Sequence, residues 1–315
     1  MDSPLCKIAI VHLMQFPGSF EGIAVHVLVA GKYLRLNYPN ESFMDILNKL
    51  QARGVEDAHL SQADCDKILQ GMSNTLNSKS FDDPDTNDEV RLQKTEDVAN
   101  VAKQFIRSFG VNKEAVDALK TANEKALNMV KEAPGLLAFI KRFRGKCSEE
   151  YLKSCLTNFL LARVLEKFPW KSQQIIQKTM FAGMLCDVTL MPDDFGEVRR
   201  FERGEADISD RVRKHASEVC QMLLKKKELI PMESITIIEQ HHERPDGKGF
   251  PLGITLSRFN QLSAIFIVSQ RFIEKIFDYH CDFTKRQEII RELKVVYTGG
   301  PFSKAMDALT SVVDE

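Results

Sequence analysis

The sequence predicts a mostly α-helical protein in which a small α/β domain comes before a larger, all-helical domain. Two observations carry this prediction. The first 72 residues contain β-branched segments that partly alternate apolar and polar positions, as half-buried strands do. From about Glu89 onward, apolar residues instead recur with the period of a helix, and capping residues and prolines bound the periodic segments.

Composition sets the predicted domain boundaries. The α/β module covers residues 1–72, and a polar, acidic linker covers residues 73–88. Connecting helices follow in residues 89–147, and the main helical domain covers residues 148–315. We find no internal repeat and no low-complexity segment beyond the linker.

Short strands and short helices share the α/β module. KIAIVHLMQ and GIAVHVLVAGKYLRL are the predicted strands. Ser42 caps a helix over FMDILNKLQAR, which Gly54 ends in a left-handed conformation. Ser61 caps a further short helix that runs through Ile68.

Helical segments fill the rest of the chain. The helix over VANVAKQFIRSF ends at Gly110. Asn112 caps the next helix, which ends at Pro134 and Gly135. Ser148 caps a third helix, which ends at Pro169. The remaining predicted helices are SQQIIQKTMFAGML, DISDRVRKHASEVCQMLLKKK, MESITIIEQ, LSRFNQLSAIFIVSQRFIEKIF, RQEIIRELKVVY and SKAMDALTSVV.

Charge and cysteine content restrict the class of protein. The 43 basic and 44 acidic residues leave a net charge of -1, so no global field favours nucleic acid or an anionic membrane. The seven cysteines are scattered and contain no C-x-x-C pair, which is typical of reduced thiols. The start of the chain lacks the pattern of a secretory signal, and no apolar run is long enough to span a bilayer. We therefore predict a cytoplasmic protein without membrane insertion or a nucleic-acid partner.

Three histidines and one aspartate of the helical region are predicted to point inward. His215 shares a helix face with Val212 and Val219. His241 and His242 each follow an isoleucine by four positions, and Asp187 ends an apolar helix, where an unpaired carboxylate is costly. The alternative is a set of core histidines satisfied by other hydrogen bonds. Four such ligands together favour a transition metal, since imidazole suits iron, manganese or zinc.

One segment also resembles a known family. HHERPDGKGFP, residues 241–251, is similar to the HHE-x-x-D-G-x-G-Y-P motif of HD-GYP domains, which are bacterial cyclic-di-GMP phosphodiesterases of the HD phosphohydrolase superfamily. FAGMLCDVTLMPD resembles the segment with the family's His-Asp pair, and RVRKHASEV, LSAIFIVSQRF and GGPFSKAMDAL resemble later segments. The resemblance covers roughly residues 148–313 and implies an HD-GYP-like helical domain with a two-metal site.

The departures from the family pattern affect one metal position. The resemblance places the ligands of the second metal on Asp187, His215, His241 and His242, the set that the helix faces also select. It places three ligands of the first metal on Ser154, Cys186 and Gln270. Cys186 is either a thiolate ligand for a soft metal or a small core residue, and the neutral amide of Gln270 is a weak ligand. We therefore expect one metal ion, with a second possible but not expected.

Other residues near the motif have predicted supporting roles. The lysine that can contact phosphate in the family corresponds to Leu190, and the tyrosine of the family's motif corresponds to Phe250. Four cations are candidates for contact with phosphate, with a solvated surface as the alternative: Arg211, Lys214, Arg244 and Lys248. Glu243 is predicted to accept a hydrogen bond from a ligating imidazole.

The loop that carries the motif is predicted to contact a partner. Asp246 and Gly247 shape its turn, Gly249 and Pro251 hold its form, and Lys248 and Phe250 are expected to point outward. These observations favour a degenerate HD-GYP-like protein of cyclic-di-GMP signalling with weak or no phosphodiesterase activity. Its expected ligand is cyclic-di-GMP or a related cyclic dinucleotide, and its expected protein partner is a GGDEF-type diguanylate cyclase. The alternative is an active, metal-dependent cyclic-di-GMP phosphodiesterase.

Overall fold

The computed structural model describes residues 4–16, 22–36, 42–83, 85–133 and 135–315. The chain divides into two compact units, Met1–Met129 and Val130–Glu315. Fourteen α-helices and one four-stranded sheet lie within the described ranges. The predicted fold class, mostly α with a small α/β N-terminal part, is confirmed.

The first unit combines an antiparallel sheet with helices. Its strands follow the order β1-β4-β2-β3, and Cys6 of β1 lies opposite Leu60 of β4. The elements, in chain order, are β1 (Cys6–Ala9), α1 (Ile10–Met14), β2 (Val25–Val29), β3 (Lys32–Leu36), α2 (Phe43–Ala52), β4 (Asp57–Leu60), α3 (Gln62–Leu76) and α4 (Asp88–Phe109). Helix α5 (Lys113–Glu132) contains the boundary between the two units.

The predicted caps of this unit are present. The Ser42 and Ser61 hydroxyls accept hydrogen bonds from the backbone amides of Asp45 and Asp64, each at 3.2 Å. Gly54 has a φ of 73°, the left-handed conformation expected after a helix. Local chemistry therefore set these helix ends.

Several boundaries in this unit differ from the prediction. The strand predicted over KIAIVHLMQ ends at Ala9, and residues from Ile10 onward form helix α1. Ile10 and Leu13 are buried on that helix, so the apolar pattern predicted burial correctly but not the backbone conformation. Strand β4 was not predicted, and α3 extends to Leu76 instead of Ile68.

The second unit is helical. Its α-helices are α6 (Leu136–Phe143), α7 (Glu149–Leu165), α8 (Gln173–Leu185), α9 (Pro192–Glu202), α10 (Asp210–Leu224), α11 (Met232–Gln240), α12 (Gln261–Asp278), α13 (Arg286–Val296) and α14 (Gly300–Asp314). Short 3-10 turns occupy Leu256–Arg258 and Phe283–Lys285. Helices α6 and α9 were not predicted, and Pro134, predicted to end α5, lies outside the described residues.

Helix α12 lies at the centre of this unit. It packs against α7, α11, α13 and α14, and its residues from Ser263 to Ile273 are all buried. Helix α8 approaches this centre through Gly183, where a Cβ would lie 2.7 Å from Asn158 Oδ1 and 3.2 Å from the Phe266 ring. The glycine therefore allows the end of α8, and the residues that follow it, to lie deep in the helical unit.

No helix in the described part of the chain combines the length and the apolar character that crossing a membrane requires.

Candidate metal centre

The ends of two helices and the middle of a third bring four possible metal ligands together. Asp187 follows the end of α8, His215 lies on α10, and His241 and His242 follow α11. One nitrogen or oxygen atom from each of the four lies within 4.8 Å of all the others. Asp187 Oδ1 lies 3.4 Å from His215 Nε2, 3.3 Å from His241 Nε2 and 3.9 Å from His242 Nε2. The four residues selected from helix faces thus form one cluster, and the three imidazoles are buried.

Two of the imidazoles are oriented by their own helices. Nδ1 of His215 lies 2.6 Å from the Val212 carbonyl oxygen, and Nδ1 of His241 lies 2.6 Å from the Ile238 carbonyl oxygen. A carbonyl oxygen only accepts, so each Nδ1 donates and each Nε2 carries a lone pair. These two Nε2 atoms lie 3.3 Å apart. Two lone pairs facing each other at this distance repel unless a cation or a proton lies between them.

The third imidazole is held by side chains. His242 Nδ1 lies 3.0 Å from Glu202 Oε1, and its ring stacks on Phe250 with a centroid separation of 4.4 Å. Its Nε2 is buried and has no hydrogen-bond partner. A buried nitrogen without a hydrogen-bond partner is costly in a folded protein. Such a nitrogen is expected at a site where it binds a ligand such as a metal ion.

The electrostatics of the cluster favour the ionisation states that a metal requires. Burial lowers the pKa of His241 to about 4 and that of His242 to about 3, so both imidazoles are neutral at pH 7. Burial alone would raise the pKa of Asp187, but the three imidazoles that approach its carboxylate, those of His215, His241 and His242, hold it well below its usual range. Neutral imidazoles and an ionised carboxylate are the forms that bind a metal ion. The buried cluster could therefore bind a metal ion.

The residues at the predicted first-metal positions lie beside this cluster. Ser154, Cys186 and Gln270 line a cavity of about 440 Å³ that Asp187 and His242 also line. The Ser154 hydroxyl donates to the Gly183 carbonyl at 3.5 Å, and Cys186 Sγ lies 3.4 Å from Asp187 Oδ2. Gln270 is 9% exposed, and its Oε1 has no hydrogen-bond partner. Serine and glutamine bring no negative charge to this side of Asp187, and Cys186 would bring one only as a thiolate.

Of the four cations predicted to meet phosphate, Arg244 lines the cavity. Its guanidinium donates to both carboxylate oxygens of Asp246, at 3.2 and 2.8 Å. Arg211, Lys214 and Lys248 are exposed, and Arg211 pairs with Asp194. Their contact with phosphate stays a prediction.

Sequence reasoning missed most of the charged residues that line the cavity. Five further cations lie there, and each is paired with a carboxylate: Lys153 with Glu149, Arg199 with Glu149, Arg203 with Asp278, Arg271 with Glu202 and Lys275 with Glu292. None belongs to the recognised motif, so only the spatial arrangement identifies them. The role of accepting a hydrogen bond from an imidazole, which the sequence assigned to Glu243, belongs to Glu202.

Glu243 instead holds the loop that follows the histidines. Its carboxylate accepts hydrogen bonds from the backbone amides of Leu252, Gly253 and Ile254, at 2.6, 3.1 and 3.0 Å. These hydrogen bonds of the carboxylate go to the loop backbone and not to an imidazole, so the predicted role of orienting an imidazole is wrong. Gly249 is required in the same loop, because a Cβ there would lie 2.4 Å from Glu243 Cα.

Phe250 has a different position from the predicted one. Its side chain is fully buried against His242, Leu190 and Val212, and it makes an edge contact with Phe201. The prediction that it points outward is therefore wrong, whereas Lys248 is exposed. The buried ring fixes the plane of the His242 imidazole.

The fold has a counterpart among solved structures. No family model matches the chain, and no curated protein does. Bd1817, a HDG"Y"P protein from Bdellovibrio bacteriovorus, has a solved structure that matches at a TM-score of 0.57 and 15% sequence identity. The match covers 99% of this chain and 100% of that chain. The chain has an HD-GYP-like fold. Since the match extends over nearly the whole chain, the likeness of fold includes the α/β unit as well as the helical one.

Proposed function

We propose that this chain is a degenerate HD-GYP-like protein of cyclic-di-GMP signalling, which holds one transition-metal ion and hydrolyses cyclic-di-GMP weakly or not at all. The observation that carries the proposal is the asymmetry about Asp187. On one side, the Nε2 atoms of three imidazoles lie within 3.9 Å of Asp187 Oδ1, and on the other side stand Ser154, Cys186 and Gln270.

The side of Asp187 that carries the three imidazoles, here called the intact side, is suited to iron, manganese or zinc. Asp187, His215, His241 and His242 would hold the ion, because three imidazole nitrogens and one carboxylate are ligands that these metals share. When bound, such an ion acts as a Lewis acid toward an oxygen atom of a ligand. The orphaned Nε2 of His242 supports this assignment, since no protein group satisfies it.

The side of Asp187 that carries Ser154, Cys186 and Gln270, here called the altered side, argues against efficient hydrolysis. Two-metal phosphodiester hydrolysis uses a pair of ions to stabilise both the attacking and the leaving oxygen. A second cation beside Asp187 would meet a hydroxyl, a thiol and an amide, which bind hard divalent ions weakly when neutral. Leu190, at the position of the family's lysine, adds an apolar wall to the cavity where a cation would meet phosphate.

The cavity supports ligand binding by its size and its polar rim. Its volume of about 440 Å³ falls within the range of ligand pockets, ~300–1,000 Å³. Every cation that lines it already has a carboxylate partner, so a phosphate would compete with carboxylates for these cations. This arrangement favours modest affinity for cyclic-di-GMP and supports a signalling role more than rapid turnover.

The motif loop is the proposed contact with a GGDEF-type diguanylate cyclase. Asp246 accepts a hydrogen bond from the Lys248 backbone amide at 3.1 Å, and the loop is anchored from below by Glu243. Lys248 is therefore an exposed cation on a fixed backbone, whereas Phe250 belongs to the interior. Lys248→Glu should weaken capture of a purified diguanylate cyclase, with Lys226→Glu as a control on another exposed lysine. Equal capture by both variants would remove the loop from the proposal.

The absence of disulfides supports the proposed cytoplasmic location. All seven cysteines fall in the described ranges, and none forms a disulfide.

Elemental analysis combined with a hydrolysis assay tests the function. We expect about one transition metal per chain and very slow release of linear dinucleotide from cyclic-di-GMP. Two metals per chain and a rate of roughly one per second or faster would instead establish the alternative, an active phosphodiesterase. No metal at all would refute both.

A further inference from the structure

One imidazole of the candidate metal centre is oriented by a mechanism different from that of the other two. His215 and His241 donate from Nδ1 to carbonyl oxygens of their own helices, which the helix geometry fixes. His242 lies past the end of α11, and its Nδ1 faces Glu202 Oε1 at 3.0 Å. The proton of His242 therefore depends on side chains rather than on the backbone.

Two side chains compete for that nitrogen. Glu202 Oε1 lies 3.0 Å and Arg271 Nη2 lies 2.9 Å from Nδ1 of His242. A carboxylate accepts a proton from Nδ1, which leaves Nε2 with its lone pair. A guanidinium only donates, so a hydrogen bond from Arg271 to Nδ1 places the imidazole proton on Nε2 and blocks a metal there.

The geometry favours the first arrangement. Arg271 Nη2 lies 2.6 Å from the same Glu202 oxygen, so this oxygen can accept from the guanidinium and from His242 together. Arg271 is 5% exposed and is held on its other nitrogen by Glu274 at 2.5 Å. The ion pair therefore fixes the Glu202 carboxylate from the central helix α12.

We propose that Glu202, held by Arg271, is a positioning residue that keeps the His242 proton on Nδ1 and so leaves Nε2 available to the metal. The inference rests on the proposed metal site and adds two residues to it. The resemblance assigns a role to neither residue, although Arg271 lies in the segment LSAIFIVSQRF, beside Gln270 on α12.

Because Glu202 and Arg271 compete for His242 Nδ1, the single and double variants should differ in metal binding in an unusual order. Removing Glu202 alone leaves Arg271 as a donor facing Nδ1, which selects the tautomer that cannot bind. Removing both side chains leaves Nδ1 without either partner, so part of the imidazole population keeps Nε2 unprotonated. Glu202→Ala should therefore damage metal binding more than Glu202→Ala combined with Arg271→Met.

Zinc affinity, measured by competition with a chelating dye, tests this order. We expect Glu202→Ala to weaken binding about 10–100-fold, as loss of a ligand's hydrogen-bond partner does. The double variant should be tighter than Glu202→Ala, and Glu202→Gln should recover part of the loss through its amide oxygen. Arg203→Met is the matched control, because it removes a cation that lines the same cavity but pairs with Asp278. A double variant weaker than Glu202→Ala would overturn the proposal.

Nitrogen-15 NMR of histidine-labelled, metal-free protein provides a second readout that a merely structural role would not change. We expect His242 to carry its proton on Nδ1 in the natural protein and on Nε2 in Glu202→Ala. An unchanged tautomer in Glu202→Ala, or an Nε2 proton in the natural protein, would refute the assignment. If Glu202→Ala does not fold, Glu202→Gln takes its place, with a smaller shift toward the Nε2 form expected and no shift counting against the proposal. Failure of the natural protein to bind zinc would refute the metal site, whereas the NMR result would still decide the role of Glu202.

Discussion

The two sides of Asp187 carry side chains of different chemistry. His215, His241 and His242 gather on one side, with their Nε2 atoms close to Asp187 Oδ1, whereas Ser154, Cys186 and Gln270 occupy the other. A buried histidine or aspartate without its metal is an unpaired polar group, and its burial is costly. A small or neutral side chain is much less costly to bury. One half of a metal site can thus be replaced without loss of the fold, provided that the shared helices still pack.

Removing one imidazole should have the largest effect on the intact side. We expect His241→Ala to weaken metal binding by more than about 100-fold, beyond the loss caused by an outer hydrogen-bond partner. Elemental analysis of the purified variant checks this. His280→Asn is the control, because His280 is exposed and lies outside the cluster. Metal retained by His241→Ala would place the ion elsewhere.

Rebuilding the altered side should raise the metal content from about one toward two per chain. The variant combines Ser154→His, Cys186→His and Gln270→Asp, and metal content and unfolding are measured together because unfilled buried ligands destabilise the fold. Hydrolysis of cyclic-di-GMP should increase, by about 100-fold, only when Leu190→Lys adds a charge for phosphate. Leu190→Lys alone serves as the control, with no gain in metal. An unchanged metal count in the rebuilt protein would show that these positions do not form a second site.

Replacing two buried phenylalanines by alanine should distinguish the effect of orienting a metal ligand from the effect of general packing. Phe250 stacks on His242, whereas Phe266 packs beside Gly183 near the altered side. Each change to alanine should lower the free energy of unfolding by about 3–5 kcal/mol, measured in denaturant with chelator present. Only Phe250→Ala should also weaken zinc binding, because only this ring contacts a proposed ligand. Equal zinc affinity in the two variants would contradict the orienting role.

The smallest effect should come from the thiol on the altered side. Cys186→Ser keeps a small polar group next to Asp187 and removes the possible thiolate ligand. We expect zinc content and affinity to stay unchanged, as measured by the same dye competition. A clear loss of zinc would show that Cys186 is a ligand and that the altered side takes part in binding.

Local patterns predicted much of the helical unit. Ser148 was expected to cap a helix, and its hydroxyl accepts from the Tyr151 amide at 3.2 Å. The helix faces indicate that Asp187 and the three histidines point inward, and in the folded chain these residues form one cluster. Periodicity and capping depend on neighbours within a few positions, which explains their success.

Local patterns did not predict the roles of Glu243 and Phe250. Both lie in the recognised motif, but Glu243 accepts three backbone amides and Phe250 is buried on His242. A loop has no periodicity from which the direction of a side chain can be read. Only the packing of the loop against the rest of the chain decides which groups it presents.

The sequence by itself determined the fold class, the four clustered residues and the neutral character of Ser154 and Gln270, because residue type and helix face are local properties. The tertiary structure decided what orients His242. Glu202 and Arg271 lie 40 and 29 positions away along the chain, and their carboxylate and guanidinium meet the same imidazole nitrogen. The position of a proton depends on distances of about 3 Å between groups from different helices, and such distances exist only once the helices have packed.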